Sequence, residues 1–544
     1  MDTRLWLKNY PTRSTLDYPK ISLYHYLKKV ADQYPNRTAL IFIADRVTYR
    51  EMMENIDRMA AAFTAMGLQK GDRIALMLPN CFAYVYCYFA AMRQGLVVAQ
   101  LNPLLTAREL SFIVRDSNAR VLIAADAVFQ TIEQAMLDQD IENLIVVPLT
   151  GEKINVNARP FDDILQQHEP NPPDVEINPE EDLAVLQYTG GTTGFPKGAM
   201  LTHYNLVANA EMTAEILREW LKKFGGKEVY SMGLLPFFHS YGMTVCLNVG
   251  LTIPAGLLLV PQFNADLIFY LIQQYKPVIF PGVPTAFMAL MNHPEVQNYD
   301  LDSIDVCISG AAPMPVEAIE QFEQITGSSI LEGYGLSETS PITHSNPFLG
   351  VRKPGSIGIP YPDTDCKIVD PDDGERELPI GEEGELIIKG PQIMKGYWNR
   401  PNDTASTLKN GWLYTGDIAR MDEDGYFYIV DRKKDMIIYG GNKIYPREVE
   451  EVLYEHPKVA EAVCIGIPEK FFGEVVKAFI VLKDGAEATP EEIIEFCRPR
   501  MIKYKVPRQV EFRSELPKTN VGKFLRKDLA IEEQRRRRLE LLEE

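Results

Sequence analysis

The sequence predicts an α/β protein. A large N-terminal multi-layer α/β domain is expected over residues 1–430 and a small C-terminal α+β domain over 435–544. Three observations carry this. A chain of 544 residues exceeds what one hydrophobic core organises, so it divides into domains. Through the first half, apolar segments of strand length alternate with amphipathic segments of helix length, the pattern of parallel sheets covered by helices. After residue 431 the segments become shorter and mixed in order.

The elements follow in turn. ALIFI (39–43) reads as a strand. Thr48 and Glu51 are spaced as a capping box heading a helix. RIALML (73–78) is a strand, 81–93 an apolar helix and LVVAQL (96–101) another strand. Thr106 and Glu109 form a second capping box, and RVLIAA (120–125) is again a strand. HEPNPPDVEINPEED (168–182) is proline-rich and acidic, hence a surface connection. It leads into the strand LAVLQY (183–188).

In the last part, GYFYIV (425–430) and DMIIYGG (435–441) are short strands flanking the charged tetrapeptide DRKK (431–434). That tetrapeptide is the expected domain boundary. PREVEEVLYEHP (446–457) is a helix with Pro446 in its first turn and Val449, Val452 and Leu453 on one face. Strands at 459–467 and 475–482, a helix at 489–501 and a strand at 509–513 complete the unit. The tail IEEQRRRRLELLEE reads as the solvated end of a helix with neighbouring Glu partners. Contact with an anionic membrane surface is the alternative.

The bulk numbers exclude several classes. Lys and Arg total 56 against 75 Asp and Glu, a net charge of −19. So acidic a chain repels nucleic acid. The cysteines (81, 87, 246, 307, 366, 464 and 497) are scattered, odd in number and without a CxxC pair. This argues against a disulfide scaffold or zinc ribbon and fits a reducing cytoplasm. The first residues hold no apolar core of signal-peptide length. From 229 to 265 there is no Asp, Glu, Lys or Arg. Pro236, His239, Asn248, Pro254, Pro261 and several glycines interrupt that stretch, so a buried helix and strand are expected rather than a membrane span.

YTGGTTGFPKGAM (188–200) has the chemistry of a phosphate loop. Its glycines let several backbone N–H groups face an anion, its threonines add hydroxyls and Lys197 adds charge. It is not a Walker A loop, because Lys197 follows Pro196 and precedes Gly198, without the required Gly-Lys-Ser/Thr order. Taken alone, the loop is equally compatible with a flexible Gly/Thr hairpin.

The segment YTGGTTGFPKGAMLTHYN closely resembles the phosphate-loop signature of the adenylate-forming superfamily, which includes acyl-CoA synthetases, adenylation domains and luciferases. GYGLSETSP (333–341), YTGDIARMDEDGYFYIVDRKKDMI (414–437), GGNKIYPREVE (440–450) and PKTNVGKFLRKDL (517–529) match further motifs in order. The overall match is best to bacterial long-chain fatty-acid–CoA ligases. The resemblance implies the adenylate-forming enzyme fold and a two-step reaction. A carboxylate attacks the α-phosphate of ATP, and coenzyme A then takes the acyl group from the adenylate.

It also implies the parts. Thr189, Gly190, Gly191, Thr192, Thr193, Gly194, Lys197 and Ser337 would hold phosphate. Glu338 would bind Mg²⁺ with the Thr189 hydroxyl. Gly310, Ala311, Ala312, Glu332, Gly333, Tyr334 and Gly335 would surround adenine, and Asp417 and Arg432 the ribose. Lys523 would stabilise the charge developing in adenylation, with Lys434 as hinge. After the small domain turns, Gly440, Gly441 and Lys443 would line the coenzyme A channel.

The charge-free segment 234–251 resembles the wall of the family's acyl pocket, with Phe238, His239, Met243 and Leu247 as lining; 280–291 would add a second wall. With no charged group to meet a polar acid, a long fatty acid is expected, each buried methylene contributing about 0.8 kcal/mol. Two departures stand out. No tryptophan lies near Thr244, where some relatives have a gate, and Ile438 replaces a lysine. An aryl- or medium-chain acyl-CoA ligase and a fatty acyl-AMP ligase are the rival readings, and an acyl- or nucleotide-binding protein the non-enzymatic one. Localisation is expected to be cytoplasmic, with room for peripheral contact at the inner membrane face and for a homodimer.

Overall fold

A computed structural model describes the chain except residues 1–3, 11–12, 137–140, 153–157, 190–195, 441, 470, 472, 520–523 and 544. The contacts divide it into two compact units, Met1–Asp365 with Lys389–Leu413, and Cys366–Ile388 with Tyr414–Glu544. Segments 366–388 and 414–430, read from sequence with the N-terminal domain, therefore pack in the second unit, as does 431–434. The cause is sheet pairing. Gly384–Lys389, Trp412–Met421 and Phe427–Arg432 are strands of one sheet, and the last of them runs into the tetrapeptide.

The first unit holds two large sheets. One has nine strands in the order Ile359–Pro360, Ile342–Ser345, Ser329–Gly335, Val306–Ser309, Ile279–Gly282, Tyr230–Gly233, Gly256–Leu259, Thr38–Phe42, Asp45–Thr48. Its centre is parallel and its edges are antiparallel. The other has seven, in the order Arg159–Pro160, Asn143–Val147, Ala119–Ala125, Arg73–Met77, Val97–Gln100, Leu183–Thr189, Lys197–Thr202. All but its last pair are parallel. Both faces of the central strands are covered, so they read as unbroken apolar runs.

Local signals are realised. Both expected capping boxes form, Thr48 with Glu51 and Thr106 with Glu109, each worth about 1 kcal/mol. The charge-free stretch becomes the strand Tyr230–Gly233, a wide π-helix Gly242–Val249 and the strand Gly256–Leu259, with every residue of the π-helix buried. Gly242 is required there, because a Cβ would lie 2.1 Å from the Pro236 carbonyl oxygen. No helix among the described residues is long and apolar enough to cross a membrane.

The second unit carries a sheet in the order Asn442–Ile444, Ile437–Tyr439, Gly473–Leu482, Val459–Glu469, with Gln509–Phe512 parallel to Gly473–Leu482. The helix Pro446–Tyr454 buries Val449 and Leu453 against it. The helix Arg526–Glu543 is held by charge as well as packing. Buried Lys477 meets Glu533 at 2.7 Å and Glu511 at 2.9 Å, and Arg536 meets Glu511 at 2.7 Å. Within the arginine run, Arg536 and Arg537 thus have acidic partners, as the helix-end reading expects.

Candidate active site

The strand Leu183–Thr189 pairs antiparallel with Lys197–Thr202, and Thr189 stands opposite Lys197. Residues 190–195 join them, so Gly190, Gly191, Thr192, Thr193 and Gly194 lie outside the described residues while both anchors of the loop are defined. The Tyr188 ring would sit 3.2 Å from a Cβ at position 198, and its hydroxyl donates to Asp116 at 2.8 Å. A side chain at position 198 would press on that ring. The Thr189 hydroxyl reaches the Lys197 carbonyl at 3.5 Å.

Beside this hairpin packs the short turn Ser337–Thr339 that follows the strand Ser329–Gly335. Its Glu338 Oε1 accepts a hydrogen bond from the Tyr397 hydroxyl at 2.6 Å. Burial first, and then the Glu338 charge, push the Tyr397 phenol up, so it stays protonated and donates. Tyr397 is fixed by a backbone bridge to Ala199 and by its N–H on the Thr404 hydroxyl at 2.9 Å. The Lys197 ammonium lies 5.4 Å from the Tyr397 ring centroid and forms an ion pair with Asp403.

Thr189, Lys197 and Glu338 are thus gathered with two residues that sequence reasoning missed, Tyr397 and Asp403. A usable signal existed. GYWNRPND (396–403) places two adjacent aromatics in a turn-rich stretch with no helical or strand period to explain them as core.

The adenine candidates share one end of the nine-stranded sheet. Tyr334 is half-buried and meets the His344 ring edge-on at 5.9 Å. Gly335 permits a close approach, since a Cβ would fall 1.9 Å from the Pro341 carbonyl oxygen. Gly333 lies opposite Ser345. Glu332 accepts from the Gly355 N–H at 2.8 Å. Gly310 is buried beneath the Tyr241 ring, and exposed Ala311 has φ +68° beside half-buried Ala312. A non-glycine residue in that region is uncommon and is often found at binding sites.

The expected acyl wall contacts the Glu338 turn. Ser240 and Ser337 hydroxyls are 3.3 Å apart, and the Thr244 hydroxyl donates to the Ser340 carbonyl at 2.5 Å. Asn80 clamps the start of the segment by donating to the Gly233 and Leu235 carbonyls and accepting from the Phe237 N–H, each at 2.9 Å. Met243 and Leu247 are fully buried; Phe238 and His239 are half-buried. The His239 Nδ1 faces the Tyr241 N–H at 3.3 Å.

In the second unit, buried Asp417 pairs with Arg432 at 2.6 Å, directly across two antiparallel strands. Lys434 is exposed. Gly440 has φ +54°, and exposed Lys443 lies 3.6 Å from Asp372. Gly441 and Lys523 lie outside the described residues.

Comparison with known proteins decides the family. The model of the AMP-binding enzyme matches residues 27–398, and that of the AMP-binding enzyme C-terminal domain matches 448–523. The chain belongs to the AMP-binding enzyme family. It is 45% identical to the long-chain-fatty-acid–CoA ligase of Bacillus subtilis (strain 168), over 97% of this chain and 98% of that one. It is 35% identical to feruloyl-CoA synthase of Amycolatopsis sp, over 90% and 95%. Among solved structures, the anthranilate CoA ligase AuaEII in complex with anthranoyl-AMP superposes with a TM-score of 0.86 at 27% identity, over 96% of this chain and 99% of that one. This AMP-binding enzyme therefore has the adenylate-forming fold and carries out ATP-dependent acyl-adenylate and coenzyme A thioester chemistry.

Proposed function

We propose that the acid is a long-chain fatty acid, which makes the enzyme an AMP-forming long-chain fatty-acid–CoA ligase. The observation that carries this is the wall of the expected acyl pocket. It is a π-helix without a charged residue, fully buried, adjoining the turn that bears Glu338. A carboxylate or ammonium in the acid would find no partner there, whereas each buried methylene contributes about 0.8 kcal/mol. The B. subtilis relative supports the same substrate class.

In the first step a fatty-acid carboxylate oxygen bonds to the α-phosphorus, the α–β bridging P–O bond breaks, and pyrophosphate leaves. In the second, the thiol sulfur of coenzyme A attacks the acyl carbon, AMP departs and the thiol proton passes to solvent. We assign triphosphate binding to the 189–197 hairpin, ribose to Asp417 and Arg432, and the charge of adenylation to Lys523. We further propose Lys434 as the pivot between the steps, Gly440, Gly441 and Lys443 as lining for the thiol arm, and a cytoplasmic enzyme that meets its substrate at the inner membrane face.

Glu338 and Thr189 fit a magnesium ion. One carboxylate with a spare oxygen and one hydroxyl are hard donors, and Mg²⁺ needs only one or two carboxylates beside substrate phosphates. When bound, the ion would neutralise phosphate charge. Glu338 is kept oriented by Tyr397, whose bond occupies Oε1 and leaves Oε2 available.

The feruloyl-CoA synthase relative favours an aryl acid as the second reading. A panel of acids assayed by ATP–pyrophosphate exchange and by coenzyme A-dependent AMP release separates the two. Palmitate and oleate should outrank cinnamates and benzoates in both assays. A preference for aromatic acids overturns the fatty-acid reading, and exchange without a coenzyme A product overturns the ligase.

A further inference from the structure

The helix His203–Leu221 follows directly on the hairpin strand Lys197–Thr202. Thr202 and Asn205 close a capping box at the junction, with bonds of 3.0 and 3.1 Å, so the helix continues the hairpin without a loop between them. Two buried asparagines, Asn205 and Asn209, stand on this helix, and residues four apart share one face. Each reaches a different segment. The Asn205 Nδ2 donates to the Pro391 carbonyl at 2.8 Å. Asn209 turns both ends of its amide to one residue. Its Nδ2 donates to the Ile342 carbonyl at 2.7 Å, and its Oδ1 accepts the Ile342 N–H at 3.0 Å. A neighbouring strand would offer Ile342 the same donor and acceptor.

These two segments are the ones that hold Glu338. From one side, the Met394 N–H donates to the Glu338 carbonyl at 2.9 Å and the Tyr397 hydroxyl to its carboxylate at 2.6 Å. On the other side the chain passes from Glu338 to Ile342 through Ser340, whose φ is +72°. A non-glycine residue in that region carries strain of about 1–3 kcal/mol and persists only where its surroundings fix it. The Ser340 hydroxyl donates to the Gln392 carbonyl at 2.9 Å, and the Ser340 carbonyl accepts from Thr244 at 2.5 Å. Asn209 then fixes Ile342, where the turn rejoins the sheet as the strand Ile342–Ser345.

We propose that Asn209 is a positioning residue for Glu338, holding the turn that carries it in a set place relative to the phosphate hairpin. The inference rests on the reading of Glu338 as the magnesium carboxylate. A buried amide is unfavourable unless its polar atoms are bonded, and here both bond one backbone residue just beyond the Glu338 turn. Packing alone would be served by an apolar side chain. Magnesium demands near-ideal octahedral geometry, so a carboxylate that drifts with its turn holds the ion poorly. A displacement of 1 Å at a reacting centre costs roughly 100-fold in rate.

The test uses the full-length enzyme with Asn209→Leu, Asn209→Ser, Glu338→Gln and the double variant of Asn209→Ser with Glu338→Gln. ATP affinity is read by calorimetry with magnesium and with EDTA, beside ATP–pyrophosphate exchange and melting temperature. Magnesium should tighten ATP binding in the native enzyme by about fivefold or more. Both Asn209 variants should lose most of that gain while binding in EDTA is unchanged, and exchange should fall roughly 10- to 100-fold. The double variant should be no worse than Glu338→Gln alone, since Asn209 acts through that carboxylate. Equal weakening of ATP binding with and without magnesium, in step with a lowered melting temperature, assigns Asn209 a purely structural role and overturns the proposal. So does a full magnesium gain in both Asn209 variants, or losses that multiply in the double variant. If Asn209→Leu does not fold, the same outcomes in Asn209→Ser decide. A native magnesium gain in Glu338→Gln overturns the reading of Glu338 itself, and the proposal with it.

Discussion

The hydroxyl of Tyr397 donates to Glu338 across 2.6 Å while its ring faces the Lys197 ammonium at 5.4 Å. One side chain therefore touches the candidate metal carboxylate and the candidate phosphate lysine together. A hydrogen bond to a charged group is worth about 1.5–3 kcal/mol. In Tyr397→Phe the ring and its packing remain but Glu338 loses its orienting donor. Pyrophosphate exchange should fall by roughly tenfold or more and need more magnesium, with the melting temperature little changed. Wild-type exchange and magnesium dependence in this variant would reduce the contact to packing.

Asp417 is buried and shares a 2.6 Å ion pair with Arg432. A carboxylate in this place can accept from both hydroxyls of a vicinal diol, which an amide oxygen does less well. Asp417→Asn should raise KM for ATP by roughly 10- to 100-fold, the scale of a lost charged hydrogen bond. The sharper readout is discrimination. The native enzyme should prefer ATP to 2′-deoxy-ATP, and the variant should lose most of that preference. If the preference persists undiminished, Asp417 is not the ribose acceptor.

Much of the first unit was legible because its signals are local. Thr48 and Thr106 announce helix starts three residues before their Glu partners, and buried strands such as 120–125 read as apolar runs. The Tyr397–Glu338 and Lys197–Asp403 contacts were not legible. They join residues far apart in the chain, and neither partner sits in a periodic pattern. The π-helix was hidden for a different reason. A run without charges has no polar face to register its pitch. The segment 366–388 joined the second unit through strand pairing that no short-range pattern encodes. Arg536 could be matched to Glu532 and Glu533 by helix spacing, but its bond to Glu511 depends on the sheet.

That sheet contact leads to a stability prediction. Lys477 is almost fully buried between Glu511 and Glu533. Burial alone would raise the Glu511 carboxyl, but bonds from Arg536 and Lys477 outweigh it and hold the group down at about 2. Lys477→Met leaves buried Glu533 with only the longer contacts from Arg536 and Arg537, at 3.7 and 3.6 Å, at a cost of about 3 kcal/mol, the lower end for breaking a buried pair. The last helix should then become the first site of proteolytic cleavage. Adding Glu533→Leu should recover most of the loss, because an apolar pair of similar size replaces the ionic one. A double variant no more stable than the single one would contradict this account of the network.

A second stability effect depends on pH and belongs to the first unit. His203 is fully buried, and burial lowers its imidazole from 6.5 to about 4; His344 is lowered likewise, to about 3. The geometry of His203 agrees, because Nδ1 accepts the Leu23 N–H at 3.3 Å and so carries no proton. In the unfolded chain both imidazoles take up a proton near pH 6.5, while the folded protein resists until about pH 4. The unfolded state therefore binds more protons in this window, and stability, full above pH 6.5, is lost as pH falls toward 4. The loss due to His203 approaches about 3 kcal/mol at its limit. His203→Asn keeps an acceptor for Leu23 but removes the titration. Urea midpoints measured from pH 7.5 to 4.5 should fall less steeply in the variant than in the native protein, and parallel curves would show that His203 is not held neutral by the fold.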